Sequence, residues 1–206
     1  RVRDLARKAD VPVLAFCEDV AASGGYWLAA SADEIYANGA SIIGSIGVVS
    51  AGFGFDRAIE RLGIDRRVYT AGERKAILDP FRPEAEEDVE RLKSLQAEIH
   101  QQFIAHVVER RGGKLKGAHE DLFSGAFWSG ETAVGLGLVD GLGDCRSVVT
   151  RRFGEEVDLM TIQPKKKLFS GIGGLSGSMA GAAAASVVDE AAQLAVERAY
   201  LSRFGL

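Results

Sequence analysis

The sequence predicts an α/β layered fold, and three observations carry that reading. Short apolar runs of strand length alternate with helical periodicities along the chain. The run at 11–17 is apolar throughout, the pattern of a strand covered on both faces. A long segment, about 83–111, repeats apolar residues every three or four positions, as a helix lying along a layer does. At 206 residues the chain can bury a substantial core in one domain and carry an appendage.

Taken in order, 2–9 reads as a short amphipathic helix and 11–17 as the first strand. Residues 18–22 read as a loop, and Ser23 opens a helix that runs to Ala32. A second strand is expected at 33–37, a glycine-rich turn at 39–47, and a helix at 55–62 that stops at Gly63. Branched and aromatic residues at 65–70 predict a third strand. A loop with two prolines and the pair Arg74-Lys75 follows. Pro83 suits the first position of the long helix, and Glu84, Glu86, Glu87 and Asp88 suit the positive end of its dipole. Its apolar stripe is Val89, Leu92, Leu95, Ile99, Phe103 and Val107, and Gly112-Gly113 ends it. A short helix at 129–137, a brief strand at 138–139, a helix at 144–153 and a late strand at 157–163 complete the expected domain.

The tail changes character. After Lys165-Lys-Lys167, residues 168–188 carry Gly, Ala and Ser but no charge until Asp189. Gly173, Gly177 and Gly181 share a small-xxx-small spacing, which admits a membrane segment behind a basic stop. The dilute apolarity favours a flexible linker at 164–182 feeding a helix at 183–206.

Hydrophobic residues make up 47% and charged residues 26%, the mix of an ordinary globular chain. A net charge of −4 gives no basic footprint for nucleic acid. Cys17 and Cys145 are too few for a zinc cluster or a disulfide framework, and read as small buried residues. The chain opens on a helical pattern without a leader, as a domain met part-way in, and a cytoplasmic location is favoured. An upstream segment or the 168–188 stretch would instead attach it to a membrane.

The chemistry concentrates at Val20-Ala-Ala-Ser-Gly-Gly-Tyr26. Ser23 follows a strand and stands at the mouth of a helix, among small neighbours. A nucleophile needs that setting, because backbone must approach the substrate and the helix terminus favours developing negative charge. Gly24 permits such an approach, so its N–H is a candidate oxyanion donor. The plain alternative is that Ser23 only caps the helix. A serine also needs a base. His100, His106 and His119 sit in the long helix and the polar loop beyond it, so a Ser-His-Asp arrangement is weakly supported. A neutral lysine serves in the Ser-Lys variants. Lys75 is followed by Ala76, Ile77 and Leu78, which could exclude water from it, although most lysines are solvated. Arg74 beside it does not give up its proton.

Four stretches, in this order and spacing, resemble the signal peptide peptidase A family of serine peptidases. They are Asp19-Val-Ala-Ala-Ser-Gly-Gly-Tyr-Trp27, Gly44-Ser-Ile-Gly-Val48, Gly72-Glu-Arg-Lys-Ala-Ile-Leu-Asp-Pro80 and Phe127-Trp-Ser-Gly-Glu-Thr-Ala-Val-Gly-Leu-Gly-Leu-Val-Asp140. The resemblance covers about residues 1–163 and not the tail. It implies a Clp/crotonase-like spiral of β-β-α units, here N-terminally incomplete, with a long helix and a C-terminal helical tail. It implies Ser23 as nucleophile and Lys75 as general base. Ser45 would orient the lysine and Gly24 would supply half of the oxyanion hole. The family's other donor lies in a glycine-rich turn upstream of the nucleophile strand, and no such turn precedes Val11. Extended apolar peptides such as remnant signal peptides would be the substrates, with no cofactor. A homo-oligomer is expected, in which serine and lysine can come from neighbouring subunits. The rival readings are a non-catalytic scaffold of the same fold, an acyl-CoA hydratase or isomerase, and a Clp-type Ser-His-Asp peptidase.

Overall fold

The alternation of strands and helices is present in the computed structural model, which describes residues 1–72 and 74–162. After α1 (Val2–Lys8), two β-β-α units follow one another. In the first, β1 (Leu14–Cys17) and β2 (Val20–Ala22) lead into α2 (Gly24–Ala29). In the second, β3 (Glu34–Ala37) and β4 (Ile42–Gly44) lead on to α3 (Asp56–Arg61). The first strands of the two units pair in parallel, from Leu14 opposite Glu34 to Cys17 opposite Ala37. Their second strands pair in parallel as well, from Val20 opposite Ile42 to Ala22 opposite Gly44. Each unit thus adds one strand to each of two sheets, which is the repeat of a β-β-α spiral. The long helix α4 (Glu86–Arg111) and α5 (His119–Leu122) come next. Then β5 (Phe127–Ser129), α6 (Gly130–Gly135), β6 (Gly141–Leu142) and α7 (Cys145–Phe153) close the domain. The sheet orders are β1-β3-β6 and β2-β4-β5, with β5 antiparallel to β4.

Several boundaries differ from expectation. The segments read as a loop at 18–22 and a turn at 39–47 contain β2 and β4. Three small or apolar residues each are too few to show a period, and pairing alone makes them strands. The strand expected from 11 begins at Leu14; it lies at a sheet edge, so residues 14–16 are only half-buried. No strand forms at 65–70, where Tyr69 is 91% exposed, and none at 157–162 among the described residues. β-Propensity without a partner strand leaves such segments irregular. Leu138 and Val139 are buried, but the strand pairing falls later, at Gly141–Leu142. The long helix starts at Glu86 rather than Pro83, after Ala85 in extended conformation. The expected linker at 164–182 and helix at 183–206 lie outside the described residues. Among the described residues, no helix is long and apolar enough to cross a membrane.

The core lies between the sheets and α4. Tyr26, Ile35, Ile43, Ile46, Phe103, Val107, Leu122 and Leu138 are its large buried members. Only the C-terminal half of the α4 stripe joins it: Phe103 and Val107 are buried, whereas Leu95 and Ile99 are exposed. Arg111, at the end of α4, is also buried. Its guanidinium donates to the Gly137 carbonyl and to the Asp140 carboxylate. Asp140 also accepts from the Ile35 N–H at 2.8 Å and from Lys114 at 2.6 Å. Burial raises the Asp140 pKa, but these hydrogen bonds outweigh it and hold the carboxyl below its ordinary value. Asp140 thereby ties α4 to β3 and to the corner after α6.

Candidate active site

Ser23 stands between the end of β2 and the start of α2, at φ 53° and ψ −123°. A serine in that region is strained, and such strain persists only where the surroundings enforce it. The surroundings are visible. The Ser23 N–H donates to the Gly44 carbonyl at 2.8 Å, and its carbonyl accepts from Trp27 N–H at 3.0 Å. Behind it, Trp27 stacks on Phe103 of α4 at 4.6 Å between ring centres. The Tyr26 hydroxyl, fully buried, donates to the Leu138 carbonyl at 2.8 Å. Together these fix α2 against the core and hold the turn at its mouth. The Ser23 side chain makes no capping hydrogen bond and is exposed. The Ser23 hydroxyl therefore does not cap the helix.

Ser45 arrives beside Ser23 by register. Ala22 pairs with Gly44, so the next residue of each parallel strand leaves its sheet at the same end. Ligand sites of α/β folds gather at such carboxyl ends. Ser45 also has positive φ, 51°, and its N–H donates to the Ala126 carbonyl at 2.7 Å. Gly44 precedes it at φ 108°, where a Cβ would stand 2.8 Å from the Trp128 ring. Glycine is required there by both the angle and the ring. Gly24 and Gly25 are different: a Cβ on either would meet no heavy atom within 4 Å. The space over α2's first turn is open to an incoming chain, and the Gly24 N–H begins the helix without an intrahelical acceptor.

Lys75 is not bonded to this pair. It lies in the turn at 74–78, exposed, with its N–H donating to the Gly72 carbonyl at 3.2 Å. Among the described residues its amine makes no hydrogen bond or ion pair with Ser23 or Ser45. The structure thus brings together Ser23, Gly24 and Ser45, and leaves Lys75 on the exposed excursion around α3. The histidines do not take its place. His106 meets the Ser31 hydroxyl at 3.4 Å, His119 packs edge-on against Phe123, and His100 bonds the Ile46 carbonyl at 3.1 Å. His100 thus borders the Ser45 turn, a role its place in the helical pattern did not reveal. An apolar groove of about 500 Å³, lined by Val13, Ala15, Val20, Gly25, Leu28 and Ala29 among others, adjoins the turn.

The sequence model of peptidase family S49 matches residues 5–158, from within α1 through α7. The chain belongs to peptidase family S49. Among curated relatives, the chloroplastic serine protease SPPA of Arabidopsis thaliana is 35% identical over 136 residues, 64% of this chain and 20% of that protein. A Brucella abortus protein named Na(+)/H(+) antiporter NhaA is 54% identical over 211 residues, 100% of this chain but 28% of that protein. The chain thus spans less than a third of either relative. The antiporter name belongs to the whole of a much longer protein, and the S49 match lies within the shared part. A solved enoyl-CoA hydratase/isomerase family structure from Hyphomonas neptunium aligns at TM-score 0.36 and 21% identity, over 73% of this chain and 40% of that one. In the S49 chain, Ser23 and Ser45 fall on the first two of the four stretches that carried the resemblance, and Asp140 closes the last.

Proposed function

We propose that this S49 domain is a serine endopeptidase working with a Ser23–Lys75 dyad on extended apolar peptides, remnant signal peptides among them. The observation that carries the reading is Ser23 itself: a strained strand-to-helix turn presents an exposed hydroxyl with no structural duty. Ser23 Oγ attacks the scissile carbonyl while the neutral Lys75 amine takes the hydroxyl proton. The proton then passes to the leaving amine, and a water, deprotonated by the same amine, releases the acyl group. The Gly24 N–H faces the developing oxyanion, and the Ser45 hydroxyl orients the lysine.

Lys75 is exposed within a single chain, so the reading includes assembly. In a homo-oligomer, the Lys75 loop of one copy reaches the Ser23 of its neighbour and is covered there. The groove and β2 support this substrate class. As an edge strand running straight into Ser23, β2 can add an extended peptide by backbone pairing, with apolar side chains falling into the groove. The exposure of Lys75 also favours a second reading, a non-enzymatic scaffold of the same fold acting in protein assembly. Turnover of an apolar fluorogenic peptide separates the two. The peptidase reading expects cleavage by the wild type and at least a thousand-fold loss in Lys75→Ala, on the order of removing a general base from a dyad. Activity should return on mixing Ser23→Ala with Lys75→Ala, because mixed oligomers contain intact sites. Cleavage unchanged by Lys75→Ala would remove lysine from the mechanism.

A further inference from the structure

The turn that carries Ser45 is gripped by a side chain from α4. His100 projects from the middle of α4, and its Nε2 lies 3.1 Å from the Ile46 carbonyl, 54 residues away in sequence. A carbonyl oxygen only accepts, so Nε2 carries the hydrogen and donates it. The turn at 44–47 is otherwise held by its backbone bonds and by the buried Ile46 side chain. The Gly44 carbonyl accepts from Ser23 N–H, Ser45 N–H donates to Ala126, and Gly47 N–H folds back on the Ser45 carbonyl at 2.9 Å. These bonds come from the end of β2, from Ala126 just before β5 and from the turn itself. His100 is the side-chain hold on the turn from the helix layer. The bond matters because Ser45 sits at φ 51°, a conformation that relaxes unless the residues on both sides of it are pinned.

We propose that His100 is a positioning residue for the Ser23–Ser45 site: its Nε2–H anchors the Ile46 carbonyl, and so sets where the Ser45 hydroxyl and the Gly44 carbonyl behind Ser23 stand. The inference rests on the dyad reading for its catalytic consequence, but not for its structural one. His100 does not touch substrate or take a proton; its sole contribution is the donated hydrogen bond. A side chain with a terminal N–H donor of similar reach should replace it, and an apolar side chain of similar size should not.

The test compares wild type, His100→Gln and His100→Leu as full chains, by two readouts. Hydrogen–deuterium exchange reports the turn whether or not the chain cleaves peptides. In His100→Leu, peptides covering 44–48 should exchange about ten-fold faster, while those covering Phe103–Arg111 keep the wild-type rate. His100→Gln should restore the protection. Peptide turnover reports the consequence. His100→Leu should lose about ten- to a hundred-fold in kcat with KM unchanged, the cost of a small misplacement of reacting groups, and His100→Gln should recover most of it. Unchanged exchange at 44–48 in His100→Leu overturns the proposal, even in a chain that cleaves nothing. Altered exchange with wild-type kcat also overturns it, because the turn would then move without consequence for the site. An inactive wild type with the predicted exchange pattern supports the anchor and counts instead against the dyad reading.

Discussion

Asp140→Ala tests how the domain is tied together. In the folded chain Asp140 faces Arg111, which is 2% exposed, and is itself 16% exposed. The substitution removes the acceptor of the Ile35 N–H and leaves the buried guanidinium with only the Gly137 carbonyl. Breaking one partner of a buried pair costs about 3–5 kcal/mol, because a charge is left uncompensated. Lys114 is half-exposed and adds little to that. For a chain of this size each kcal/mol moves Tm by about 2–4 °C, so the drop should be on the order of 10 °C. Urea unfolding followed by circular dichroism measures the free energy directly. The pH dependence fixes the cause. Burial pushes the Asp140 carboxyl up, but the bonds from Arg111, Lys114 and Ile35 hold it below its ordinary value. A depressed folded-state value means that the ionised group stabilises the fold at pH values above the ordinary value. That contribution is lost as pH falls through the folded-state value. The gap between wild type and variant should therefore be full at pH 7 and shrink below about pH 4. A penalty under 1 kcal/mol at pH 7, or one that stays constant into acid, would refute the ion-pair account.

Two further outcomes follow from single residues. Ser23→Gly should be more stable than Ser23→Ala by about 1 kcal/mol, since both lack the hydroxyl and only glycine takes the positive φ without strain; equal midpoints in denaturant would show that the turn is not strained. Burial pushes the Cys17 thiol up to about 11, so at pH 8 the folded chain should resist alkylation there and react on unfolding. Rapid native-state labelling of Cys17 by iodoacetamide, read by mass spectrometry, would show that β1 opens readily.

The sequence exposed the parts of this molecule that repeat or that carry unusual small residues. Ser23 among alanines and glycines, the helix ending at Gly63 and the Asp144-led helix α7 were legible because local chemistry decides them. What pairing decides was not. The three-residue strands β2 and β4 have no period of their own, yet they set Ser45 beside Ser23 through one register match. The converse error has the same cause: Val68 and Tyr69 have strand composition, but no strand lies beside them. Long-range side-chain partners were equally hidden. Nothing near His100 in sequence points to Ile46, and nothing near Asp140 points to Arg111, since both contacts exist only once α4 lies across the sheets. Lys75 shows the opposite limit. Its motif was readable, whereas its exposure and the lack of a bond to Ser23 within one chain were not.

The most direct test of the central claim is covalent. The full chain is treated with a serine-directed phosphonate, and the adduct is located by mass spectrometry in wild type and in Lys75→Ala. An adduct on Ser23 is expected in the wild type and should be lost in the lysine variant, with Ser31, Ser41 and Ser45 unmodified in both. A folded wild type with no adduct on Ser23, or one labelled equally without Lys75, would contradict it.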